Sequence, residues 1–371
     1  MQILARAREL ESQGRSIIHM EIGEPDFATP TPISAAGIAA LTQGRTHYTP
    51  ALGLPELRRA IADHYQRCYG ASIAAERIVI TPGASGALQL VMATLIDPGD
   101  EVLMADPGYP CNRNFVRLAE GQATLIPVDA SCDYQLTAEH IERYWSSRSK
   151  AVMLASPSNP TGTVIDEQNL QAIMRCVERH GGHLIVDEIY HGLIYDDDTT
   201  SAAALTENAF ILNSFSKYYG MTGWRVGWLV VPETYIPYID KLAQNIFLAA
   251  STPAQYAALA AFSPDAQQIM AARRVDFKQR RDYLLPELRA LGFDIPVTPQ
   301  GAFYLYAGCQ RFTNDSDAFA REILEQVGVA ITPGRDFGEY QPAQHLRFAY
   351  TTSLKNLREG VRRLRNFIFG L

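Results

Sequence analysis

The sequence lacks any apolar run long enough to cross a membrane, and it lacks a block of consecutive lysines or arginines. Its 33 basic and 40 acidic residues give a net charge of −7, which makes nucleic acid and anionic membrane surfaces poor candidates for partners. The first eight residues predict the opening of an amphipathic helix rather than a secretory leader. We therefore expect neither a nucleic-acid partner nor a membrane partner.

Cysteine and histidine are also scarce. The five cysteines are widely scattered with no C-x-x-C pair, and the eight histidines include no H-E-x-x-H motif and no clustered ligand set. These absences exclude a disulfide scaffold and predict reduced thiols, a cytoplasmic location and no metal site. A 47% hydrophobic, 20% charged composition over 371 residues predicts a globular protein with a sizeable core and two domains.

Short apolar strands alternate with helical patterns through the middle of the chain, which predicts an α/β fold. The predicted strands are 78–80, 102–104, 124–128, 151–154, 184–186, 210–212 and 226–231. Most are apolar on both faces, so they predict a mostly parallel sheet sandwiched by helices. Shorter units follow Gly292 and predict a smaller α+β domain. We expect a large domain over 33–285 and a small domain made of 1–32 plus 286–371, with the proline-rich stretch 25–32 as a crossing point.

One basic segment, 273–281, lies within a helical pattern. Because Asp276 and Phe277 interrupt it, we interpret it as the solvated face of a long helix rather than as a nucleic-acid contact.

Lysine is rare, and one lysine stands apart. Of the five in the chain, four lie in ordinary charged surroundings, whereas Lys217 sits among serine, tyrosine, glycine and tryptophan in the segment 213–227. The ordinary alternative interpretation is that Lys217 is an exposed surface lysine. A desolvated lysine, however, has a lowered pKa and a nucleophilic amine, which suits it to forming a Schiff base.

Four other predicted strands end in small, polar or aromatic residues. The turn 81–87 joins a strand to a helix start, a geometry that holds phosphate groups. Tyr109, Asn159 and Asp187 each follow a further strand. Turn and cap chemistry explains any one of them alone, but ligands meet open α/β sheets at such strand ends.

Together these segments resemble the pyridoxal-phosphate-dependent aminotransferases of fold type I, in the class I/II group that includes aspartate aminotransferase. The resemblance extends from 22–27 to 345–349, and the pattern Ser-x-Ser-Lys…Gly-x-Arg-x-Gly over 214–227 is its most specific part. It implies an enzyme of the fold type I architecture that uses pyridoxal 5′-phosphate to move an amino group from an L-amino acid to a 2-oxo acid.

The resemblance also implies roles for individual residues. Lys217 matches the lysine that forms the Schiff base and moves the proton, and Asp187 matches the carboxylate paired with the pyridine nitrogen. Tyr190 and Asn159 match the two donors to the ring's 3′ oxygen, and Tyr109 matches the aromatic residue stacked on the ring. Lys217, Asp187 and Tyr190 are the implied catalytic residues.

The remaining implied contacts concern the cofactor's phosphate, the substrate and a second subunit. Arg347 matches the arginine that binds the substrate's α-carboxylate, with Asn159 and the Gly23 backbone nearby. The family's sites lie at a dimer interface, so a homodimer with shared sites is implied. The chain starts closer to Gly23 than is usual for the group, which predicts a short or missing N-terminal arm. The implied phosphate ligands are Ala84, Ser85, Ser214, Arg225 and, from the partner subunit, Tyr48.

Other functions share some of these features. Ser214 to Lys217 also matches the S-x-x-K motif of serine acyl-transferring hydrolases, but no lysine is followed by Thr-Gly as those enzymes require. A pyridoxal-phosphate-binding regulator would carry a DNA-binding domain ahead of this fold; the sequence begins almost at the fold, so we do not expect that function. A C–S β-lyase, a cyclopropane-forming synthase and an aspartate aminotransferase would all use the same lysine.

The segment 242–254 bears on the amino donor. Dicarboxylate-specific members of the family donate an arginine from the partner subunit in this segment, and counting back from Pro253 places Ile246 at that position. A substrate carboxylate left unpaired in an apolar pocket is costly. We therefore expect a neutral or aromatic donor, with Phe303 contributing to an apolar pocket.

Overall fold

The computed structural model describes residues 2–196 and 200–370. The α-helices in this part are α1 (Gln2–Ser12), α2 (Thr31–Thr42), α3 (Pro55–Tyr69), α4 (Gly83–Leu95), α5 (Pro110–Leu118), α6 (Ala138–Tyr144), α7 (Glu167–Arg179), α8 (Ile236–Ile246), α9 (Thr252–Ala260), α10 (Pro264–Leu291), α11 (Ser316–Val327) and α12 (Leu354–Phe369). The strands are β1 (Ile18–His19), β2 (Ile78–Thr81), β3 (Glu101–Asp106), β4 (Gln122–Pro127), β5 (Ser149–Ala155), β6 (His183–Asp187), β7 (Ala209–Ser214), β8 (Gly227–Val230), β9 (Tyr304–Gly308), β10 (Val329–Ala330), β11 (Thr332–Pro333) and β12 (His345–Ala349). No helix within 2–196 and 200–370 combines the length and apolarity needed to cross a membrane.

A seven-stranded sheet in the order β2-β8-β7-β6-β5-β3-β4 forms the centre of the fold. The expectation of a mostly parallel sheet is confirmed: β3 to β7 pair in parallel, whereas β8 runs antiparallel to both β2 and β7. A parallel return needs a long crossover, usually a helix. The connection 215–226 contains only a short 3₁₀ turn, so β8 returns antiparallel.

Both faces of this sheet are buried. On β5, Val152 and Leu154 join one hydrophobic cluster, and Ala151 and Met153 join another on the opposite face. Successive strand residues point to opposite faces, so each face needs its own apolar side chains. This explains why the strands are apolar throughout.

A smaller structural unit is built around β9, β11 and β12, which form an antiparallel sheet in the order β11-β12-β9. The short strand β1 pairs with β10 in parallel and so ties the N-terminal segment to the C-terminal third. Helices α1, α11 and α12 contribute to the core of this unit. The bounds 33–285 and 1–32 plus 286–371 remain our proposed division of the chain.

The basic segment 273–281 is not simply a solvated helix face. Within α10, Phe277 is buried, and Arg280 and Arg281 are only 6% and 4% exposed. Arg280 donates two hydrogen bonds to Asp26, at 2.8 and 3.2 Å, and Arg281 forms an ion pair with Asp196 at 2.7 Å. These long-range carboxylates, which the local sequence does not reveal, allow the two guanidinium groups to be buried.

Candidate active site

A cavity of about 650 Å³ lies at the edge of the seven-stranded sheet where β2, β5, β6 and β7 end. Ligands bind open α/β sheets at this edge, and the volume lies within the range of cofactor sites. All of the residues that the resemblance implies as cofactor or substrate contacts line it, except Tyr48. They are Gly23, Ala84, Ser85, Tyr109, Asn159, Asp187, Tyr190, Ser214, Lys217, Arg225 and Arg347.

Lys217 lies three residues beyond the end of β7, with its amine in the cavity wall. The Nζ atom donates a hydrogen bond to the carbonyl oxygen of Gly23 at 2.7 Å. Burial and the nearby guanidinium groups of Arg347 and Arg225 lower the pKa of Lys217 to about 8. At pH 7 roughly one amine in ten is then neutral, far more than for an exposed lysine.

Asp187 is the last residue of β6, and its carboxylate is buried at the cavity. Its Oδ1 atom accepts a hydrogen bond from the backbone N–H of Ile189 at 3.1 Å. Burial raises the pKa of Asp187 to about 6. A buried carboxylate of this kind suits a cationic ligand atom, because such an atom would offset its lost hydration.

Helix α4 begins at the cavity with first-turn N–H groups that no side chain caps. Its N-cap residue is Pro82, and Ala84 and Ser85 line the cavity with Ser214 and Arg225. Gly83 has φ +68° and makes room for the arginine, since a Cβ atom there would lie 2.7 Å from Arg225 Nη2. A helix N-terminus, two hydroxyls and a guanidinium together form a cradle for a phosphate dianion.

Arg347 of β12 lines the cavity and is buried. It donates a hydrogen bond from Nη1 to Asn159 Oδ1 at 2.9 Å. Its guanidinium carbon lies 4.3 Å from the ring centre of Tyr304 and 4.7 Å from that of Phe337. Its Nε has no hydrogen-bond partner among the described residues. A planar cation held in this way suits a carboxylate ligand.

Tyr304 is a wall residue that sequence reasoning missed. Its hydroxyl hydrogen-bonds with that of Tyr190 at 2.8 Å, and a Cβ atom on Gly23 would lie 2.3 Å from it. Tyr304 lines the cavity, whereas Phe303 is fully buried in the core of the smaller unit. The expectation that Phe303 contributes to the pocket wall is therefore wrong. Its neighbour Tyr304 forms that part of the wall.

Two predicted residues lie away from the cavity of their own chain. Tyr48 is 82% exposed in the loop between α2 and α3, and Ile246, the last residue of α8, is 39% exposed. Tyr48 is expected to reach the site of a second subunit, and Ile246 stands at the position from which dicarboxylate-specific relatives donate an arginine to that site.

The serine hydrolase alternative finds no support in the contacts of the S-x-x-K segment. Ser214 Oγ donates to Ser216 Oγ at 2.9 Å, while the Lys217 amine donates to the Gly23 carbonyl oxygen. A serine nucleophile needs its base within hydrogen-bond reach. The described contacts do not form that pair.

One cluster of potential metal ligands, which the sequence did not predict, lies between α6 and α7. Ligand atoms of Glu142, Cys176 and His180 all fall within 4.8 Å of one another. Arg179 already forms an ion pair with Glu142, and His180 Nε2 donates a hydrogen bond to the same carboxylate at 2.9 Å. The ion pair and the hydrogen bond to Glu142 explain why these side chains lie together, without a metal ion.

The main cavity offers a lysine amine, a buried carboxylate, an anion cradle and an arginine suited to a carboxylate. This donor set fits pyridoxal phosphate, whose carbonyl, ring nitrogen and phosphate need the first three of these groups. The fourth group, the arginine, remains available to bind the carboxylate of a substrate.

Comparisons with known proteins agree with this chemistry. The family described as aminotransferase class I and II matches residues 15–364. The chain is 39% identical to (5-formylfuran-3-yl)methyl phosphate transaminase of Methanocaldococcus jannaschii, over 99% of this chain and 96% of that protein. It is 37% identical to valine–pyruvate aminotransferase of Mycobacterium tuberculosis, over 99% and 95% of the two chains. The solved structure of aspartate aminotransferase from Thermus thermophilus with maleate superposes with a TM-score of 0.93 at 34% identity, over 100% of this chain and 96% of that one.

Proposed function

The chain belongs to the class I and II aminotransferases, which depend on pyridoxal phosphate, and we propose that its main cavity transfers the amino group of a neutral L-amino acid to a 2-oxo acid. One observation carries the assignment of the site. Lys217 places a half-buried amine with a pKa lowered to about 8 beyond the end of β7, in the same cavity as Asp187 and Arg347.

We propose that the cavity walls hold the cofactor as follows. The cradle formed by Ala84 and Ser85 at the start of α4, with Ser214 and Arg225, would hold its phosphate. The buried Asp187 carboxylate would pair with its ring nitrogen. When bound, the cofactor supplies a carbonyl that accepts the amine and a ring that withdraws electrons from the substrate's Cα.

Tyr190, Asn159 and Tyr109 complete the proposed cofactor contacts. Because Arg347 donates to Asn159 Oδ1, the amide NH₂ of Asn159 remains as a donor toward the ring's 3′ oxygen. The Tyr190 hydroxyl would be the second donor to that oxygen. Tyr109 lines the cavity and would stack on the ring.

The proposed catalytic task of Lys217 is to move a proton. In its neutral form, Nζ takes the proton from the substrate's Cα as a general base, and in its protonated form it returns a proton as a general acid. Both forms are accessible near neutral pH because burial and two guanidinium groups lower the pKa of this lysine. Arg347 binds the substrate's carboxylate and thereby orients Cα toward that amine.

The charges of the cavity support a neutral donor. Within 2–196 and 200–370, the lysines and arginines on its wall are Lys217, Arg225 and Arg347, each already given a role. The wall also carries the apolar residues Ile3 and Leu4 at the start of α1. A second substrate carboxylate would therefore find no free cation from its own subunit, and Ile246 of a second subunit would not supply one.

A panel of amino donors at fixed 2-oxoglutarate or pyruvate tests this proposal. We expect kcat/KM for alanine, valine, methionine or phenylalanine to exceed that for aspartate by at least about tenfold, because an unpaired carboxylate loses roughly one charge-assisted hydrogen bond. Ammonia release without an acceptor would instead indicate a β-lyase. An aspartate value equal to that of the best neutral donor would reject the neutral-donor assignment.

The variant Leu4→Arg sharpens the same test, because it adds a cation to the apolar wall. It should raise the ratio of aspartate to valine kcat/KM, whereas Leu118→Arg, a change at a leucine that is 68% exposed on α5, should leave that ratio unchanged.

We also propose that the enzyme is a homodimer with shared sites. Ile38, Leu41, Tyr48, Ile246 and Leu248 are large apolar side chains exposed by 39% to 82%. The segments that carry them are adjacent: α2 packs on α9, and Thr252 at the start of α9 donates a hydrogen bond to the His47 carbonyl oxygen at 2.6 Å. Exposed apolar surface of this kind favours burial against a second copy.

Subunit mixing tests whether Tyr48 acts across that interface. Tyr48→Asp would place a negative charge beside the phosphate, and Lys217→Ala removes the amine, so each variant alone should be inactive. After subunit exchange, about a quarter of the sites should contain both native groups if each site takes Tyr48 from the partner. Activity near that fraction is expected. No recovery, with exchange verified by mass, would place Tyr48 outside the partner's site.

We retain the cytoplasmic location as a proposal. The cysteines of the described residues are free thiols, as expected for a chain in a reducing compartment. The net charge of −7 supports small-molecule rather than nucleic-acid partners.

A further inference from the structure

Asp106, the last residue of β3, makes contacts that the proposed chemistry does not use. It is 3% exposed, and its Oδ2 atom accepts hydrogen bonds from the backbone N–H groups of Glu339 and Tyr340, at 2.8 and 3.0 Å. The partners lie more than 230 positions away in the chain. A buried carboxylate that receives two backbone donors joins the central sheet to the segment between β11 and β12.

The two segments fit together closely. A Cβ atom on Gly338 would lie 1.6 Å from Asp106 Oδ1, so any side chain at position 338 would displace the carboxylate. Two residues after Asp106, the N–H group of Gly108 donates to the Phe337 carbonyl oxygen at 2.9 Å. We call the contact of Asp106 with Gly338, Glu339 and Tyr340 the Asp106 clasp.

The clasp joins two segments that both contribute to the cavity wall. The turn after Asp106 carries Tyr109, and the segment that follows β11 carries Phe337; both residues line the cavity. The Phe337 ring lies 4.7 Å from the guanidinium carbon of Arg347, where it limits the positions that this arginine can adopt.

We propose that Asp106 is a positioning residue, which holds the segment 337–340 against β3 and so fixes Phe337 over Arg347 in the geometry that binds the substrate's carboxylate. The inference rests on the proposed role of Arg347. Asp106 itself touches neither substrate nor cofactor. Its effect is therefore expected on substrate binding more than on the proton transfer at Lys217.

The test compares Asp106→Ala, Gly338→Ala and the double variant as holoenzymes. The readouts are the apparent Kd and maximum rate of the half-reaction with the best donor of the panel, and the hydrogen exchange of the Glu339 and Tyr340 amides. Each single variant should raise the apparent Kd by about 10- to 100-fold, as misplacement of a binding group does, with a far smaller change in maximum rate. Exchange of both amides should accelerate.

The double variant distinguishes a clasp from two independent defects. Because Asp106→Ala removes the carboxylate that a Cβ at position 338 would displace, the double variant should be no worse than the worse single variant. Asp106→Asn keeps an acceptor oxygen and should restore most of the binding and amide protection. If Asp106→Ala does not fold, Gly338→Ala and Asp106→Asn give the same comparison.

Two controls separate this inference from the proposed function. Asp100→Ala removes a carboxylate that accepts a hydrogen bond from a backbone N–H at the other end of β3, and it should leave donor binding unchanged.

Arg347→Leu should weaken donor binding strongly. If it does not, the proposed role of Arg347 is wrong. If it does, while Asp106→Ala and Gly338→Ala leave the apparent Kd unchanged or their effects simply add, the clasp does not position the site.

Discussion

Replacing Lys217 by alanine is expected to lower the rate of amino-group transfer by at least ~10²–10⁴-fold, the range contributed by a positioned general acid–base. The variant should still bind the cofactor through the cradle at α4, but borohydride should no longer fix the cofactor to the protein. The reason is that no other described lysine lines the cavity. Single-turnover absorbance of the cofactor measures the first effect, and mass spectrometry of the reduced protein measures the second.

Lys355→Ala is the matched control, because Lys355 is exposed near the start of α12. It should leave both readouts at the native level. Native single-turnover rates in Lys217→Ala would remove Lys217 from the proposed mechanism.

Replacing Asp187 by asparagine is expected to slow removal of the substrate's Cα proton by about 10²–10³-fold while the cofactor stays bound. A neutral amide cannot offset a positive charge on the ring nitrogen, although it keeps the shape of the side chain and an acceptor for the Ile189 N–H. The deuterium isotope effect with Cα-deuterated donor should increase, because proton removal becomes more fully rate-limiting.

Asp166→Asn provides the comparison for this variant. Asp166 caps the start of α7 through Asn169, and asparagine is an equally good cap, so this change should leave the rate unaffected. Equal rates in Asp187→Asn and the native enzyme would show that the Asp187 charge is not used.

The sequence allowed the central architecture and most of the cavity wall to be predicted. Strands apolar on both faces can only be buried on both sides, and their carboxyl ends meet at one edge. For this reason Asn159, Asp187 and Lys217, far apart in the chain, could be expected together. The antiparallel direction of β8 was not expected, because it depends on how the short connection 215–226 folds back.

Tyr304 and Phe303 show where sequence reasoning failed. Neighbouring residues at a strand point to opposite sides, so a shift of one position exchanges the cavity-facing and core-facing residues. The aromatic pair offered no polarity contrast strong enough to choose between them. The Tyr190–Tyr304 hydrogen bond, which distinguishes the two, joins residues 114 positions apart and exists only in the folded chain.

Long-range partners explain the other differences. Arg280 and Arg281 were expected to be solvated because their carboxylate partners, Asp26 and Asp196, are distant in sequence. Likewise, the amphipathic pattern predicted a helix at the start of the chain but not that Ile3 and Leu4 would line the cavity. Local patterns specify secondary structure, whereas such contacts depend on tertiary packing.

Borohydride reduction of the native holoenzyme, followed by peptide mapping, tests the central claim most directly. The chain has only five lysines, so every possible attachment point can be assigned. We predict one reduced cofactor per chain, attached to Lys217 and protected from labelling by prior addition of excess amino donor. Attachment at Lys150, Lys241, Lys278 or Lys355 would contradict the assignment of this cavity as the active site.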